Sequence, residues 1–308
     1  MKSTWEDENI TNGSIVKGAG KYPQADWLSL AGYVSYRWKI STRFLLQGGV
    51  RYSYFSMDAD FSDNMPFYPL PFSDAKVNNG AVTGNLGIVY NPTEQWSLVA
   101  NLSTGFRAPN VDDLGKIFES EPGSVVVPNP GLKPEYAYNA EIGAAKVFGK
   151  SVKIDLTGYY TWLADAMVRR DFTLNGQDSI LYDGEMSKVQ AIQNASYAAV
   201  YGIQAGLEVK LPAGFGIASQ FNFQKGEEEL DDGTKGPLRH AAPWYGITHL
   251  TFNAQKLELD LYANYNGAVT YENLPEEERG KDYMYAKDEN GKPWSPGWYP
   301  LNFKAMYQ

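Results

Sequence analysis

Residues 96–106 read WSLVANLSTGF, and the two faces of that stretch decide the fold. In an extended chain successive side chains point to opposite sides, so Trp96, Leu98, Ala100, Leu102 and Phe106 share one face while Ser97, Asn101, Ser103 and Gly105 share the other. The same two-residue period returns downstream. Val152, Ile154, Leu156, Tyr160 and Trp162 oppose Lys153, Asp155, Thr157 and Thr161; Ile203, Ala205, Leu207 and Val209 oppose Gln204, Glu208 and Lys210; Leu257, Leu259, Leu261 and Ala263 oppose Glu258, Asp260 and Asn264. Long helical periodicity is absent, and no run of about 18 apolar residues offers a membrane helix. A transmembrane β-strand needs only about 9 to 11 residues with alternate positions apolar, so the negative mean hydropathy is compatible with insertion.

Working outward, alternation marks about eleven strands, near 26–38, 43–56, 79–91, 95–106, 135–148, 151–169, 193–211, 214–226, 243–254, 256–270 and 297–308. Their connections alternate between short and long. Short turns fall at 39–42, 91–94, 149–150, 212–213 and 255, and long loops at 57–78, 107–134, 170–192, 227–242 and 271–296. An up-and-down barrel produces this rhythm, because odd and even connections emerge on opposite sides of the membrane, whereas Greek-key crossovers mix lengths. Alternation alone leaves open whether the apolar face meets lipid or a protein core. Aromatics gathered toward strand ends, as at Tyr33, Tyr36, Trp38, Tyr52, Tyr54, Tyr90 and Trp96, favour lipid outside and a polar lumen inside, although aromatics also have ordinary β propensity.

Composition agrees. The chain has 308 residues with Tyr 22, Trp 8, Phe 14 and Gly 30, an aromatic, turn-rich make-up suited to many strands. A formal charge of −9 without clustered Lys and Arg argues against nucleic acid as a partner. The absence of cysteine fits an oxidising compartment. The opening residues are charged and carry no apolar signal-peptide stretch.

Ser103-Thr104-Gly105-Phe106-Arg107-Ala108-Pro109, followed by Asn129-Pro130-Gly131-Leu132-Lys133-Pro134-Glu135 and then Glu141-Ile142-Gly143, resembles the TonB-dependent outer-membrane receptors of Gram-negative bacteria. The resemblance extends through 45–54, 89–96 and 194–209. It implies an all-β fold, an antiparallel transmembrane β-barrel fragment of about 11 strands from a barrel of about 22, with long extracellular loops and short periplasmic turns. It implies that residues 1–308 are a partial barrel domain whose plug, first strands and last strand lie elsewhere, residues 1–25 being the far part of a surface loop. Uptake of a scarce nutrient energised through TonB follows, with a ferric siderophore, haem, cobalamin or a glycan as cargo, outer-membrane lipid around the wall and the TonB complex reached through the absent plug. No cofactor and no enzyme chemistry are expected. A plugless porin-type channel and a non-catalytic glycan-binding protein are the alternatives.

The residues themselves suggest roles. Pro109, Pro128, Pro130 and Pro134 remove backbone donors and stiffen the loop base. Arg107 stands at the mouth, able to pair with a carboxylate such as Glu135 or to meet an anionic ligand. Phe106, Arg107, Ala108, Pro109, Asn129, Pro130, Leu132 and Glu135 are the motif candidates for ligand contact, and Tyr68 and Trp294, with Phe67, Phe72, Tyr283 and Tyr285, are loop aromatics that can stack on sugars or siderophore rings. His240 and His249 are the candidate metal ligands, with a structural role the alternative for each; no His stands between the paired motifs where a haem receptor is expected to carry one. Acidic runs around Glu227 and at Glu276, Glu277 and Glu278 read as solvated loop, the other reading being Ca²⁺ binding.

Overall fold

The computed structural model describes residues 6–307 other than 9, 10, 19, 69, 195, 196, 231, 239, 240 and 282. Eleven strands form one antiparallel wall: β1 (Gln24–Lys39), β2 (Phe44–Asp60), β3 (Asp74–Tyr90), β4 (Trp96–Arg107), β5 (Glu135–Phe148), β6 (Val152–Ala164), β7 (Tyr197–Lys210), β8 (Phe215–Glu229), β9 (Trp244–Ala254), β10 (Leu257–Asn266) and β11 (Leu301–Tyr307). Each pairs with its sequence neighbours, and β1 and β11 are the two edges, so the wall is open. The short and long connections alternate as the sequence requires. At 40–43 the Ser41 hydroxyl accepts from the amides of Arg43 and Phe44 at 3.2 and 3.1 Å. At the next-to-last short turn, Gly214 has φ +86, and a Cβ there would lie 2.1 Å from the Asn253 carbonyl oxygen, which leaves glycine as the residue that fits.

Cross-strand register puts the apolar sets of adjacent strands on one face: Leu98 opposite Ala144, Ala144 opposite Leu156, Leu156 opposite Ala205 and Ala205 opposite Phe221. That face does not pack into a protein interior. Val34 is 75% exposed and Ile142 71%, which is the signature of a surface made for hydrocarbon. Aromatic rings bound it at both ends. Toward the long loops Tyr138 lies 5.6 Å from Trp162 and Tyr160 stacks at 6.0 Å on Tyr201; toward the short turns Phe44 meets Tyr90 at 6.4 Å and Phe215 meets Phe252 at 4.7 Å. The ten-residue interval from Val152 to Trp162, at about 3.3 Å per residue and tilted, spans about 25 Å.

Several strand limits depart from the sequence reading. β2 and β3 extend well into the expected 57–78 loop, leaving only 61–73 as connection. From Leu46 to Tyr54 the apolar side chains of β2 face outward; beyond it Ser56, Asp58 and Asp60 take the outward positions and Phe55, Met57 and Ala59 are buried on the other face. The strand keeps its period while its polarity inverts, because above the bilayer the outer face meets water and the inner face meets protein. The expected 151–169 strand instead breaks at Asp165, whose φ is 54, and Met167–Asp171 leaves the wall for a second sheet.

That second sheet unites the loops 108–134 and 165–194. Met167–Asp171, Ser179–Tyr182 and Glu185–Asn194 come from one, Phe118–Glu121 and Ser124–Val126 from the other, and Ser124–Val126 lies parallel to residues 188–190. The chain's apolar core sits here, where Leu114, Val125, Leu132 and Val189 pack against Phe55, Met57 and Phe61 of the β2–β3 hairpin. Burying each of those three large side chains stabilises the cap by about 1.5 to 3 kcal/mol. The N-terminal segment joins it through the Ile117 amide, which donates to the Lys21 carbonyl at 3.0 Å.

Candidate functional site

The mouth of the wall is organised by the two motifs singled out in the sequence. β4 stops pairing with β3 at Ser103; beyond it the Thr104 hydroxyl takes the place of the ladder, accepting from the Gly84 amide at 2.8 Å. Phe106 then stacks at 6.1 Å on Phe55 and Pro109 is fully buried. Asn110 caps the short helix Val111–Gly115, its side chain accepting from the Asp112 and Asp113 amides while the Asp113 carboxylate accepts from the Asn110 amide, a reciprocal cap.

Arg107 spans the gap between the two motifs. Its Nε donates to Glu135 Oε1 at 2.6 Å and its Nη1 to Asp113 Oδ2 at 2.8 Å, so the pairing with Glu135 anticipated from the sequence is present and a second carboxylate joins it. The other Glu135 oxygen accepts from the Met167 amide at 2.8 Å. One carboxylate thus ties the end of β4, the start of β5 and the entry to the second loop. Two acids around one guanidinium leave the cluster with a formal excess of negative charge, which disfavours an anion there.

Residues 129–135 act as a clamp between the same loops. The Asn129 side chain donates to the Ile192 carbonyl at 2.8 Å and accepts from the Gly131 amide at 3.0 Å. Asn194 answers from the facing strand: its side chain accepts from the Lys133 amide and donates to the carbonyls of Lys133 and Asp165, at 2.9, 2.9 and 2.7 Å. Leu132 is 3% exposed in the core. Asn194 is a site residue the sequence did not advertise, since a lone Asn at a strand end carries no pattern.

The remaining candidates are dispersed. Tyr68 is buried and stacks at 5.7 Å on Tyr182, and Phe72 packs edge-on against Phe61 at 5.3 Å. Ala108 is partly buried against the core, and Pro130 is half-buried. Trp294 lies half-buried in the small hairpin Ala286–Lys287 with Pro293–Trp294, whereas Phe67 and Tyr283 are exposed. Glu278 corrects the reading of a solvated acidic loop: it is buried, held by Lys281 at 2.8 Å and by the Tyr285 hydroxyl at 2.7 Å. Glu227 pairs with Lys225 at 2.7 Å, and among the described residues no group of His, Asp and Glu is arranged to hold a metal. His240 lies outside the described residues. His249 is on the polar face, its Nδ1 3.0 Å from both Asp260 oxygens and its ring stacked at 4.9 Å on Tyr262.

Below the mouth the polar face mixes ion pairs, such as Lys153 with Glu208, with uncharged donors and acceptors. Tyr159 donates to Gln224 at 3.1 Å, and a concavity of about 410 Å³ is lined by Asp155, Gln204, Gln220, Asn222, Tyr245 and Asn264.

Comparison with known proteins places this architecture. A family model described as TonB dependent receptor-like, beta-barrel matches residues 4–308. The haemoglobin-haptoglobin utilization protein B of Neisseria meningitidis serogroup A is 27% identical over 305 residues, covering 91% of this chain and 35% of that protein. The pesticin receptor of Yersinia pestis is 25% identical over 223 residues, 71% of this chain and 29% of the receptor. Among solved structures, a copper transporter superposes with a TM-score of 0.70 at 14% identity, covering 98% of this chain and 43% of its own. The ferric yersiniabactin uptake receptor from Yersinia pestis gives 0.58 at 19% identity, over 92% and 38%. The chain therefore spans about a third of the length of the curated relatives it matches, and the proteins it matches here are receptors and transporters.

Proposed function

The chain belongs to the TonB-dependent receptor β-barrel family, and from that premise we propose that it supplies wall, lumen and surface loops to an outer-membrane receptor that captures a ferric siderophore or another iron complex and imports it with energy delivered through TonB. The observation carrying this reading is the interlocked mouth. Loops 108–134 and 165–194 share a sheet and an apolar core and are clamped by Glu135, Asn129 and Asn194, contacts that would hold the surface above the lumen in place for cargo and lower the entropic cost of binding. Relatives named for haemoglobin-haptoglobin utilization and ferric yersiniabactin uptake support iron as the cargo class. The motif residues Phe106, Arg107, Pro109, Asn129, Leu132 and Glu135 position the loops in this reading, and cargo contact falls to exposed loop side chains such as Phe67 and Tyr283. Gating and the contact with the TonB complex belong to the plug domain of the full receptor, with lipid surrounding the wall.

The test is uptake by cells carrying the full-length receptor, with and without TonB, offered ferric siderophores, haem, cobalamin and glycans in turn. Import of an iron compound that stops when TonB is removed is the expected result. Import that continues without TonB points to a porin-type channel instead, and TonB-dependent import of glycan or cobalamin alone would overturn the iron assignment.

A further inference from the structure

Lys146 is a cation on the wrong face of the wall. Its position in β5 alternates with Ala144 and Phe148 and lies directly opposite Trp96 and Ile154, all on the hydrocarbon side. Its Nζ stands 4.6 Å from the ring centroids of both Trp96 and Phe148, and the side chain is half-buried by them. No carboxylate pairs with it among the described residues, although Lys153 and Lys225, which are on polar or water-exposed stretches, each have one. An ammonium facing lipid is costly unless it lies at the headgroup level. Lys146 does so: it is three residues from the short turn at Gly149, in the aromatic band of the short-turn end.

That end is also basic against the trend of the chain. In the five short turns and the residues flanking them, Lys39, Arg43, Lys150, Lys210 and Lys256 are cationic and Glu94 alone is anionic, in a protein of formal charge −9. We propose that Lys146, cradled by Trp96 and Phe148, binds the phosphodiester of an acidic phospholipid of the periplasmic leaflet. An acidic lipid fits better than a zwitterionic one, because the latter brings its own ammonium to compete beside the site. The rings hold the ammonium by cation–π attraction and leave its charge unneutralised for the phosphate.

The experiment uses the full-length receptor in detergent, exchanged with phosphatidylglycerol or phosphatidylcholine and weighed by native mass spectrometry. The wild type should retain one phosphatidylglycerol more than Lys146→Gln, with affinity at that site falling about fivefold; Lys146→Arg should restore it, and phosphatidylcholine should show no such difference. Equal retention by wild type and Lys146→Gln overturns the proposal. So does displacement of the lipid by equimolar inorganic phosphate, which would mark a soluble-anion site. Amine labelling of Lys146 in the wild type keeps the test independent of variant folding: phosphatidylglycerol bilayers should protect it relative to phosphatidylcholine, and equal labelling refutes the site.

Discussion

Arg107 shows how one side chain can be read in two ways until its neighbours are known. At a receptor mouth an arginine suggests an anionic ligand, yet this guanidinium is held by Glu135 and Asp113 and fastens the loop base. Replacing it leaves two carboxylates facing one another. With the arginine 44% exposed the loss is modest, about 1 kcal/mol, so Arg107→Ala should raise the rate of proteolytic nicking in 108–134 about fivefold in a time course, while the wall stays folded. Asn194 stands under a heavier constraint because its one amide serves three backbone groups. Asn194→Ala should destabilise the cap by about 1 to 3 kcal/mol, measured by hydrogen exchange of the Lys133 amide; unchanged protection there would mean the clamp is dispensable. Phe55→Ala removes a side chain 1% exposed and should cost about 3 to 5 kcal/mol, visible as cap unfolding below the melting of the barrel.

At the scale of the element, a strand is defined by its period and its environment by the sign of its pattern. β2 keeps a two-residue period from Phe44 to Asp60 while the apolar face changes sides at Tyr54 and Phe55. The inversion continues across the register into β3, where Val77 and Ala75 are buried and Asn78 and Lys76 are exposed. It locates the outer edge of the bilayer to within a residue or two. Within the spanning part, face decides tolerance. Ile203→Arg, at the middle of β7, should reduce membrane insertion by about 2 to 4 kcal/mol, and Gln204→Arg on the polar face by much less, read as the folded fraction in lipid titrated with urea. Equal penalties would contradict the assignment of faces.

For the molecule as a whole, the apolar core is displaced from the wall to the cap. The wall alone presents Val34, Val50, Val82 and Ile142 to its surroundings, together with the unpaired edges of β1 and β11. Exposed apolar area of this extent and free strand edges drive association, so the chain purified by itself should sediment from detergent-free buffer and remain dispersed in detergent. Solubility without detergent would argue against a lipid-facing surface.

The sequence by itself determined the number, order and antiparallel pairing of the wall strands and which of their faces is apolar, because period-two alternation and turn chemistry are local properties. It located the two motifs at the mouth for the same reason: Pro and Asn act on their own backbone. Only the tertiary structure decided that residues 57–60 and 74–78 continue their strands, since reversed polarity above the membrane mimics a loop. It alone brought Ser124–Val126 beside residues 188–190 and Arg107 beside Asp113 and Glu135, and buried Glu278 with Lys281. Those contacts join segments with no shared period, and their energy exists only once distant parts of the chain have met and excluded water.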